Sequence, residues 1–383
     1  PPVLHPRPDL SVGSPSDQGL LVAGDNLLAM QCLAERCAGQ VNVAYLDPPY
    51  NTGNAFEHYG DKRSTSAWSA MMRPRLDAVH TLLADDGLLF IQIDDNELAR
   101  LQLMLDDIFG EARRVCTIVV KMSELSGVKM SHVEHRLPKL KEYILVVGRG
   151  PASRIRPLRL PKTGPSFDRY LRYYTRWIDN LDDPPERWVL RPVAELLARH
   201  RVRTDDTEGR RRVLMQHKDR VVYRTNNRFL ASLSFDVPIK RVISPTGIAY
   251  IWWEGRQMLF LKDHCEEYVG DLWTDLSTIN LNKEGGVRFR NGKKPEALIE
   301  RVLRLSSVPG DLVLDPFLGS GTTAAVAHKL GRRWIGIEAG PQWQSHALPR
   351  LQAVVSGEDQ GGISKSINWS GGGGFDVAEV LQS

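Results

Sequence analysis

The sequence predicts an α/β protein whose wound sheet is interrupted by a second domain. Between residues 19 and 149, apolar runs of strand length alternate with segments of helical period, and the same alternation returns over 293–338. Strands that alternate with helices are typical of parallel sheets built from βαβ units. Over 150–279, prolines, arginines and aromatic residues mix without a clean period, which predicts an insertion into the sheet domain.

Each element of the first half has a local signal. The stretch "GLLVAGDNLLAM" (19–30) predicts a strand or turn that enters a helix, and "VNVAYL" (41–46) predicts a buried strand because it is short and partly β-branched. Asp94 or Asp95 is expected to cap a helix that ends at Gly110. The other predicted elements are a mobile polar loop at 51–64, a helix at 65–84, and strands at 87–93, 114–122 and 142–149.

The second half returns to the same pattern. The stretch "KKPEALIERVLRLSSVPGD" (293–311) predicts a helix with Pro295 in its first turn, and a strand is predicted at 312–315. After a glycine-rich turn, "TTAAVAHKL" predicts a helix that Gly331 ends, and a further strand is predicted at 332–338.

These elements divide the chain into five predicted segments. The N-terminal lead is rich in Pro and Ser, and the stretch "GGISKSINWSGGGG" (361–374) makes the C-terminal tail low in complexity. The segments are a flexible lead at 1–20, a first half of the sheet domain at 21–149, an inserted domain at 150–279, a second half of the sheet domain at 280–358, and a Gly-rich tail at 359–383.

Composition excludes several classes of protein. The 383 residues are 42% hydrophobic and 25% charged, which is typical of a globular chain with a full core. No apolar stretch approaches the ~20 residues of a membrane span, and the N-terminus has no signal-peptide pattern. The cysteines lack zinc spacing and suggest no disulfide framework, so we expect a cytoplasmic protein with reduced thiols and no metal. They are Cys32, Cys37, Cys116 and Cys265.

Charge is distributed unevenly along the chain. The formal net charge is +4, but residues 151–230 carry 19 Lys and Arg against 10 Asp and Glu, a local net of +9. The remainder of the chain is therefore −5. A basic segment in an otherwise acidic protein predicts a polyanionic partner, and a solvated Arg-rich surface is the alternative.

The stretch "YLDPPYNTG" (45–53) places an acid, two prolines and an aromatic residue at the end of a strand. Pro48 ends that strand because its ring fixes φ and removes the N–H. Asp47 therefore lies at a carboxyl end of the sheet, the edge at which open α/β sheets bind ligands. A carboxylate and a backbone carbonyl then form a rigid pair of acceptors beside the ring of Tyr50. Such a pair suits a flat group that bears an NH2; a strand-ending turn with an exposed tyrosine is the alternative.

The stretch "DPFLGSGTT" (315–323) lies between a predicted strand and a predicted helix, and Glu338 ends the next strand. Glycines let a ligand approach the backbone closely, and the helix N-terminus offers N–H donors. An acid at the end of the following strand is placed to accept ribose hydroxyls. The stretch matches neither a Walker loop nor G-x-G-x-x-G. It therefore predicts a nucleoside cofactor, and a glycine turn for tight packing is the alternative.

Together these motifs resemble those of DNA amino-methyltransferases that use S-adenosylmethionine. Asp47-Pro48-Pro49-Tyr50 is similar to the family's catalytic motif, and 315–321 is similar to its cofactor motif. The catalytic motif comes first and a large segment separates the two, which is the order of the family's β class. The stretches "GDNLLAM", "DPPYNTG", "HRLPKLKEYILVVGR" and "GGISKSINWSGGGGF" resemble modification subunits of type III restriction systems.

The resemblance covers most of 20–149 and 280–375. It implies a Rossmann-like methyltransferase sheet with permuted motif order, in which 21–149 is the catalytic half and 280–358 the cofactor-binding half. The inserted 150–279 corresponds to a target-recognition domain.

The resemblance also implies roles for single residues. The Asp47 carboxylate and the Pro48 carbonyl accept the hydrogens of an exocyclic base amine, and Pro49 helps to keep this pair rigid. Tyr50 stacks on a base flipped out of the duplex. Asp25 contacts the adenine of the cofactor or caps a helix, and Lys294 serves the cofactor or is an exposed helix-start charge. The implied cofactor residues are Asp25, Lys294, Asp315, Phe317, Gly319, Ser320, Gly321, Thr322, Thr323 and Glu338.

The implied function is methyl transfer from S-adenosylmethionine to N6 of adenine in double-stranded DNA. Cytosine-N4 methylation is the alternative, although Asp at position 47 favours adenine because N4 enzymes of the family more often carry Ser there. Related protein-glutamine methylases carry Asn at this position, so Asp47 disfavours that activity. A further alternative is a DNA-specificity subunit of a restriction complex. The implied partners are double-stranded DNA, a second copy of the chain and a restriction nuclease subunit. Phosphate contacts are expected from Arg210, Arg211 and Arg212.

Overall fold

The strands and helices were analysed in a computed structural model that describes residues 2–13, 18–52, 64–123, 137–277, 281–287 and 292–382. The chain separates into two structural units. Unit 1 comprises Pro1–Arg156 and Gly270–Ser383, and unit 2 comprises Pro157–Val269. Among the helices of the described residues, none combines the length and the apolarity needed to cross a membrane.

The elements are numbered along the chain. The strands are β1 Pro2–Pro6, β2 Val12–Gly13, β3 Gly19–Ala23, β4 Val41–Leu46, β5 Leu83–Ile93, β6 Arg114–Lys121, β7 Lys141–Gly148, β8 Arg159–Pro161, β9 Arg176–Ile178, β10 Leu190–Pro192, β11 Val221–Thr225, β12 Ile239–Ile243, β13 Ala249–Trp253, β14 Arg256–Phe260, β15 Glu266–Tyr268, β16 Leu272–Trp273, β17 Leu312–Asp315, β18 Arg333–Glu338 and β19 Gly374–Gln382. The α-helices are α1 Asn26–Cys37, α2 Thr65–Leu82, α3 Leu98–Phe109, α4 Gly164–Leu171, α5 Val193–Arg199, α6 Thr207–Gln216, α7 Arg228–Ala231, α8 Glu296–Ser306, α9 Thr322–Lys329 and α10 Leu348–Ser356.

Unit 1 is built on one mixed sheet. Its strands lie in the order β1-β19-β3-β18-β17-β4-β5-β7-β6-β16, and β2 pairs with β19. From β19 to β5 every neighbouring pair is parallel, whereas β7 runs antiparallel to both β5 and β6. The predicted α/β fold with a wound sheet is confirmed.

The centre of this sheet lies between β17 and β4. These strands are parallel, with Val313 opposite Val43 and Leu314 opposite Ala44. After β17 the chain continues to β18 on one side, and after β4 it continues to β5 on the other. Such a switch in strand order opens a crevice at the carboxyl ends of the strands, where ligands bind. Asp315 ends β17 and Asp47 follows β4, so two motifs far apart in sequence meet at this crevice.

Helices α1, α2 and α3 pack on the sheet through one apolar cluster. In α2, Trp68, Met72, Leu76 and Val79 follow the helical period and are fully buried. Burial of a side chain of this size stabilises the fold by roughly 1.5–3 kcal/mol. Helices α8, α9 and α10 contact one another in chain order, and α9 also packs on β17 and β18. Because the strands are covered by helices, their sequences are continuously apolar.

Both chain ends contain strands, in the segments that the sequence predicted as a flexible lead at 1–20 and a Gly-rich tail at 359–383. Strand β19 lies between β1 and β3 in the sheet, parallel to β3 and antiparallel to β1. In β19, Phe375 and Val377 are 1% exposed. The prediction rested on Gly, Pro and Ser content, whereas long-range strand pairing decides the conformation of these segments.

Two local predictions are also corrected. Helix α3 begins after Glu97 without a side-chain cap, whereas Asp94 accepts a hydrogen bond from the Asn96 N–H at 2.8 Å and Asp95 pairs with Lys141. Pro295 is the residue before α8 and does not lie in its first turn. The loop predicted at 51–64 falls mainly on 53–63, which lies outside the described residues.

Unit 2 has regular structure in a region where the sequence showed no period. Six short antiparallel strands form a sheet in the order β10-β9-β11-β14-β13-β12, and β15 pairs with β8. Strands of three to five residues are too short to show a period in the sequence. Unit 2 is also narrower than the predicted 150–279, because β16 pairs with β6 and belongs to unit 1.

Candidate active site

A cavity of about 230 Å³ lies at the crevice between β17 and β4. It is formed by the ends of β3, β4, β17 and β18 and by the turns that follow them. The lining residues are Asp25, Asn26, Tyr45, Asp47, Pro49, Met71, Arg75, Gly292, Lys294, Asp315, Pro316, Phe317, Leu318, Gly319, Ser320, Thr322, Thr323, Glu338, Ala339 and Gln342. We call it the first cavity.

The turn between β17 and α9 forms one wall of the first cavity. Gly319 has a φ of +55° and Gly321 a φ of +83°, a backbone region that favours glycine. A Cβ at Gly321 would also lie 3.3 Å from Ala347. Gly321 does not line the cavity, so its part in the site is to shape the turn before α9.

Glu338 is held by the turns on either side of it. One carboxylate oxygen accepts the Gly319 N–H at 2.7 Å, and the other accepts the Gly340 N–H at 2.9 Å and the Gln342 side-chain amide at 2.8 Å. Burial raises the pKa of this carboxyl, and the hydrogen bonds from Gly340 and Gly319 oppose that rise. The carboxylate thus orders the glycine turn while it lines the first cavity.

Asp315 is a buried acid in the same wall. Its carboxylate accepts the Phe317 N–H at 2.9 Å. Burial raises its pKa to about 7, and Asp47 and Glu338 add to the rise, although hydrogen bonds from Thr323 and Phe317 oppose it. A carboxyl with this pKa changes its charge at physiological pH.

Asp25 caps helix α1, which is one of its two predicted roles. Its carboxylate accepts the Leu27 N–H at 2.9 Å and the Leu28 N–H at 3.2 Å. The other oxygen pairs with Arg75 at 2.8 Å, and Arg75 also donates to Asn26 at 2.5 Å. The three side chains together line the first cavity near the start of α1.

A second cavity, of about 300 Å³, lies on the other side of Asp47. It shares Asp47, Gly292 and Lys294 with the first cavity. The complete lining is Asp47, Pro48, Tyr50, Thr52, Asp94, Met122, Ser123, Lys139, Leu140, Lys141, Glu142, Gly292 and Lys294. The two cavities therefore adjoin at a boundary that includes the Asp47 carboxylate.

The proline pair fixes the backbone between the cavities. The carbonyl of Pro49 accepts the indole N–H of the buried Trp68 at 2.7 Å. Within the described part of the chain, no hydrogen-bond donor reaches the carbonyl of Pro48. The Pro48 carbonyl is therefore free to accept a hydrogen from a ligand beside Asp47.

Asp47 belongs to a hydrogen-bonded group of side chains from three parts of unit 1. The Tyr50 hydroxyl lies 2.7 Å from Asp47 and 2.9 Å from Glu142, a residue of β7. The Lys294 ammonium lies 2.7 Å from the Tyr50 oxygen, 2.8 Å from Glu142 and 3.3 Å from Asp47. Gln92 donates to Glu142 at 2.6 Å.

Burial and the neighbouring charges together shift the pKa values of Asp47, Glu142 and Lys294. Burial raises the pKa of Asp47, and Lys294 opposes that rise. Burial acts the same way on Glu142, but Lys294 and its hydrogen bond hold the pKa of Glu142 below the usual value. Burial would lower the pKa of Lys294, but Asp47 and Glu142 keep it above its usual value.

The structure brings most of the predicted site residues together. The predicted cofactor residues apart from Gly321 line the first cavity, with Asp47 and Pro49, whereas Pro48 and Tyr50 line the second. The sequence did not indicate Glu142, Gln92 or Arg75, because each is a single polar residue in an otherwise ordinary strand or helix. A lone acid at the start of the apolar run "EYILVVG" was the available signal for Glu142.

The predicted DNA-binding arginines lie in unit 2 and differ from one another. Arg210 is half-buried and donates to the carbonyls of Tyr174 at 2.9 Å and Leu171 at 3.3 Å. Arg211 pairs with Asp168 at 3.2 Å, whereas Arg212 is exposed. The prediction of three phosphate contacts is therefore corrected for Arg210, whose guanidinium is used within unit 2.

Comparison with known proteins identifies relatives of this chain. The profile of a family described as DNA methylase, N6_N4_Mtase, matches residues 41–348. The probable type III restriction-modification enzyme HindVI Mod subunit of Haemophilus influenzae is 35% identical, covering 97% of this chain and 55% of that protein. The type II methyltransferase M.KpnI of Klebsiella pneumoniae is 26% identical, covering 82% of this chain and 77% of that protein.

Mod subunits and solved structures complete the comparison. The EcoPI Mod subunit of Escherichia phage P1 is 26% identical over 82% of this chain and 55% of that protein. The chain thus spans about half the length of the Mod subunits named here. Among solved structures, the PvuII DNA methyltransferase (cytosine-N4-specific) matches with a TM-score of 0.48 and 12% identity, covering 87% of this chain and 86% of that one.

Proposed function

Because the chain belongs to the DNA methylase family, we propose that it transfers a methyl group from S-adenosylmethionine to the N6 amine of adenine in double-stranded DNA. The observation that carries this proposal is the pair of cavities that meet at Asp47, Gly292 and Lys294. One cavity would hold the methyl donor, the other the target base, and the shared carboxylate would lie where the methyl group crosses.

The first cavity fits S-adenosylmethionine in chemistry. The bound cofactor supplies a methyl group on a sulfonium cation. Asp47, Asp315 and Glu338 line this cavity, and acidic side chains favour a cation. Glu338 is also placed at the end of the strand next to β17, where nucleotide-binding folds put an acceptor for ribose hydroxyls.

The second cavity fits a base that bears an exocyclic amine. The lone pair of such an amine is delocalised into the ring, so the amine is a poor nucleophile. The Asp47 carboxylate and the Pro48 carbonyl would accept hydrogen bonds from its two N–H groups. This favours a pyramidal nitrogen with its lone pair aimed at the first cavity. Acceptors fixed in advance stabilise the positive charge that develops on nitrogen. Tyr50 lines this cavity and would pack on the ring of the base.

Two observations support adenine and a role in restriction-modification. Position 47 is Asp, as in the adenine enzymes that the motif resembles. The 35%-identical relative is named a Mod subunit of a type III system. We therefore propose a restriction nuclease subunit and a second copy of the chain as protein partners. Gel filtration of the chain alone, and mixed with a type III restriction nuclease subunit, tests this part of the proposal.

One experiment tests the reaction itself. DNA is incubated with the chain and S-adenosylmethionine labelled in the methyl group, digested to nucleosides and analysed by mass spectrometry. Label in N6-methyl-2′-deoxyadenosine supports the proposal. Label in N4-methyl-2′-deoxycytidine would establish the alternative base, and a chain that binds DNA without incorporation of label would point to a specificity subunit.

Unit 2 is proposed to bind the DNA backbone. It carries 21 Lys and Arg against 15 Asp and Glu, a net of +6. We expect Arg212→Ala to reduce the slope of log affinity against log salt by about 0.9, the value for one phosphate contact. Arg210→Ala should instead lower the melting temperature, because two carbonyls lose their donor. Fluorescence anisotropy between 50 and 200 mM salt measures the slope. A wild-type slope in Arg212→Ala would exclude this residue from the interface.

Asp315 is expected to make cofactor binding depend on pH. Its pKa of about 7 means that the carboxyl is ionised above pH 7 and neutral below it. The affinity for the sulfonium cofactor should therefore fall as pH is lowered through 7, by up to about tenfold per pH unit. S-Adenosylhomocysteine, a neutral thioether, provides the control. Calorimetry that gives parallel pH profiles for the two ligands would contradict the expectation, and Asp315→Asn should abolish the difference.

A further inference from the structure

Two carboxylates and one ammonium group lie together at the boundary between the two cavities. Lys294 is 8% exposed, Asp47 18% and Glu142 21%. Buried charges are costly unless they are paired and hydrogen-bonded. Of these three charged groups, methyl transfer as proposed above uses only the Asp47 carboxylate. The function of Lys294 and Glu142 therefore needs an explanation.

We propose that Lys294, held by Glu142 in a buried ion pair, keeps the Asp47 carboxylate ionised and oriented for the target amine. Both are positioning residues in this proposal, and Lys294 is not a ligand of the cofactor. The inference rests on the proposed function, because it assigns Asp47 the role of acceptor for the amine.

The hydrogen bonds of Lys294 support its role beside Asp47. A lysine ammonium has three hydrogens. Three oxygens lie around this one, those of Tyr50 at 2.7 Å, Glu142 at 2.8 Å and Asp47 at 3.3 Å. The contacts to Tyr50 and Glu142 are hydrogen bonds and the contact to Asp47 is an ion pair, so the ammonium is engaged by this group of side chains. The ammonium also lies 4.9 Å from the centre of the Tyr50 ring, which restrains both side chains.

Glu142 balances the charge of Lys294. A lone cation beside Asp47 would neutralise the carboxylate and would repel a sulfonium in the neighbouring cavity. With Glu142 ionised, the three groups have a net charge of −1, so one negative charge remains for the amine and the methyl donor. Glu142 is anchored by Gln92, whose oxygen accepts the Tyr45 hydroxyl at 2.6 Å.

Tyr50 links the two carboxylates. Its hydroxyl has one hydrogen, with Asp47 at 2.7 Å and Glu142 at 2.9 Å as acceptors. When the amine approaches Asp47, this hydrogen can be donated to Glu142. Asp47 then keeps its charge and gains a free lone pair for the amine. The direction of the pKa shift agrees with this role of Lys294, because burial raises the pKa of Asp47 and Lys294 opposes the rise.

The other ionisable groups that line the cavities are mostly paired. On the side of the first cavity they are Asp25, Arg75, Asp315, Glu338 and Tyr45, of which Arg75 pairs with Asp25. On the side of the second cavity they are Asp94, Lys139 and Lys141. Lys139 pairs with Asp94, and Lys141 pairs with Asp95. Asp315 and Glu338 are left unchanged in every variant below, so their titration is common to all of them.

The test is the pH dependence of single-turnover methyl transfer at saturating cofactor and DNA. In the wild type, the rate falls at low pH as Asp47 is protonated. Lys294→Met should move this acid limb to higher pH by about one unit or more, because an opposite charge within hydrogen-bond distance is lost. Glu142→Gln should move it to lower pH, because a like charge is removed. Lys294→Arg, which keeps the charge, should leave the limb near its wild-type position.

Calorimetry and exposed control variants complete the experiment. Lys294→Met should bind S-adenosylmethionine at least as tightly as the wild type, whereas loss of a cofactor ligand would weaken binding. Lys365→Met and Glu358→Gln make the same changes at exposed residues that line neither cavity, and should match the wild type. The double variant Lys294→Met/Glu142→Gln should place its limb between those of the single variants.

The outcomes separate this inference from the proposed function. Acid limbs of Lys294→Met and Glu142→Gln that coincide with the wild type, or that move in the same direction, would overturn the inference. If Lys294→Met does not fold, Glu142→Gln decides alone, because a purely structural role lowers the rate without moving the limb. A wild-type chain that methylates no amine in DNA would instead overturn the proposed function.

Discussion

Asp47→Ala is expected to abolish methyl transfer while leaving the affinity for S-adenosylmethionine largely unchanged. The carboxylate is the only side chain of the catalytic motif that lies in both cavities with a negative charge, so its loss removes the acceptor at the point of transfer. Loss of one fixed electrostatic partner of a transition state typically costs about a hundred- to a thousandfold in rate. Incorporation of labelled methyl groups into DNA measures the rate, and calorimetry measures cofactor binding.

The fold should tolerate Asp47→Ala, which makes the result interpretable. Lys294 keeps Tyr50 and Glu142 as partners, and the apolar cluster beneath β4 is unchanged. Asp376→Ala is the matched control, because Asp376 is exposed on β19 and lines neither cavity. Methyl incorporation near the wild-type rate in Asp47→Ala would refute the assignment of Asp47 as the acceptor.

Glu338→Ala is expected to weaken the binding of S-adenosylmethionine much more than the binding of DNA. The variant loses an acceptor for the ribose hydroxyls. It also releases the Gly319 and Gly340 N–H groups and the Gln342 amide, which hold the turns in place. Loss of a charged hydrogen-bond partner costs about 1–3 kcal/mol, which corresponds to roughly 5- to 150-fold in affinity.

Calorimetry with cofactor and anisotropy with DNA provide the two measurements for this prediction. Glu338→Gln separates the effects, because the amide keeps one acceptor oxygen for the turn but loses the charge. It should bind the cofactor with an affinity between those of the wild type and Glu338→Ala. An unchanged affinity for S-adenosylmethionine in Glu338→Ala would show that this carboxylate is not part of the cofactor site.

The prediction of the fold succeeded where the signal was local. Strands β4, β17 and β18 are short and apolar, and each ends in a residue that stops a strand or begins a turn, so their positions followed from the sequence. Helix α2 was recognised from the spacing of Trp68, Met72, Leu76 and Val79. The strands of unit 2 were not predicted because they are short. Their order in the sheet also depends on pairing between distant segments.

The chain ends show the same limit. Strand β1 and strand β19 are separated by more than 360 residues, and each is paired with the other. Composition indicated a flexible lead and a low-complexity tail, because no local pattern records a partner at the opposite end of the chain. The backbone hydrogen bonds of an edge strand are satisfied by whichever strand lies beside it, and only the folded chain provides that strand.

The sequence by itself determined the chemistry of the two motifs, since residue type and order fix an acid, a rigid proline pair and a glycine turn at the ends of strands. Tertiary structure alone decided that the motifs meet, because β4 and β17 become neighbours only when the sheet forms. It also decided the surroundings of Lys294, which the sequence assigned to the cofactor or to an exposed helix start. Its ammonium lies between Asp47 and Glu142, because a buried cation is stable only where folding brings anions from other strands within hydrogen-bond distance.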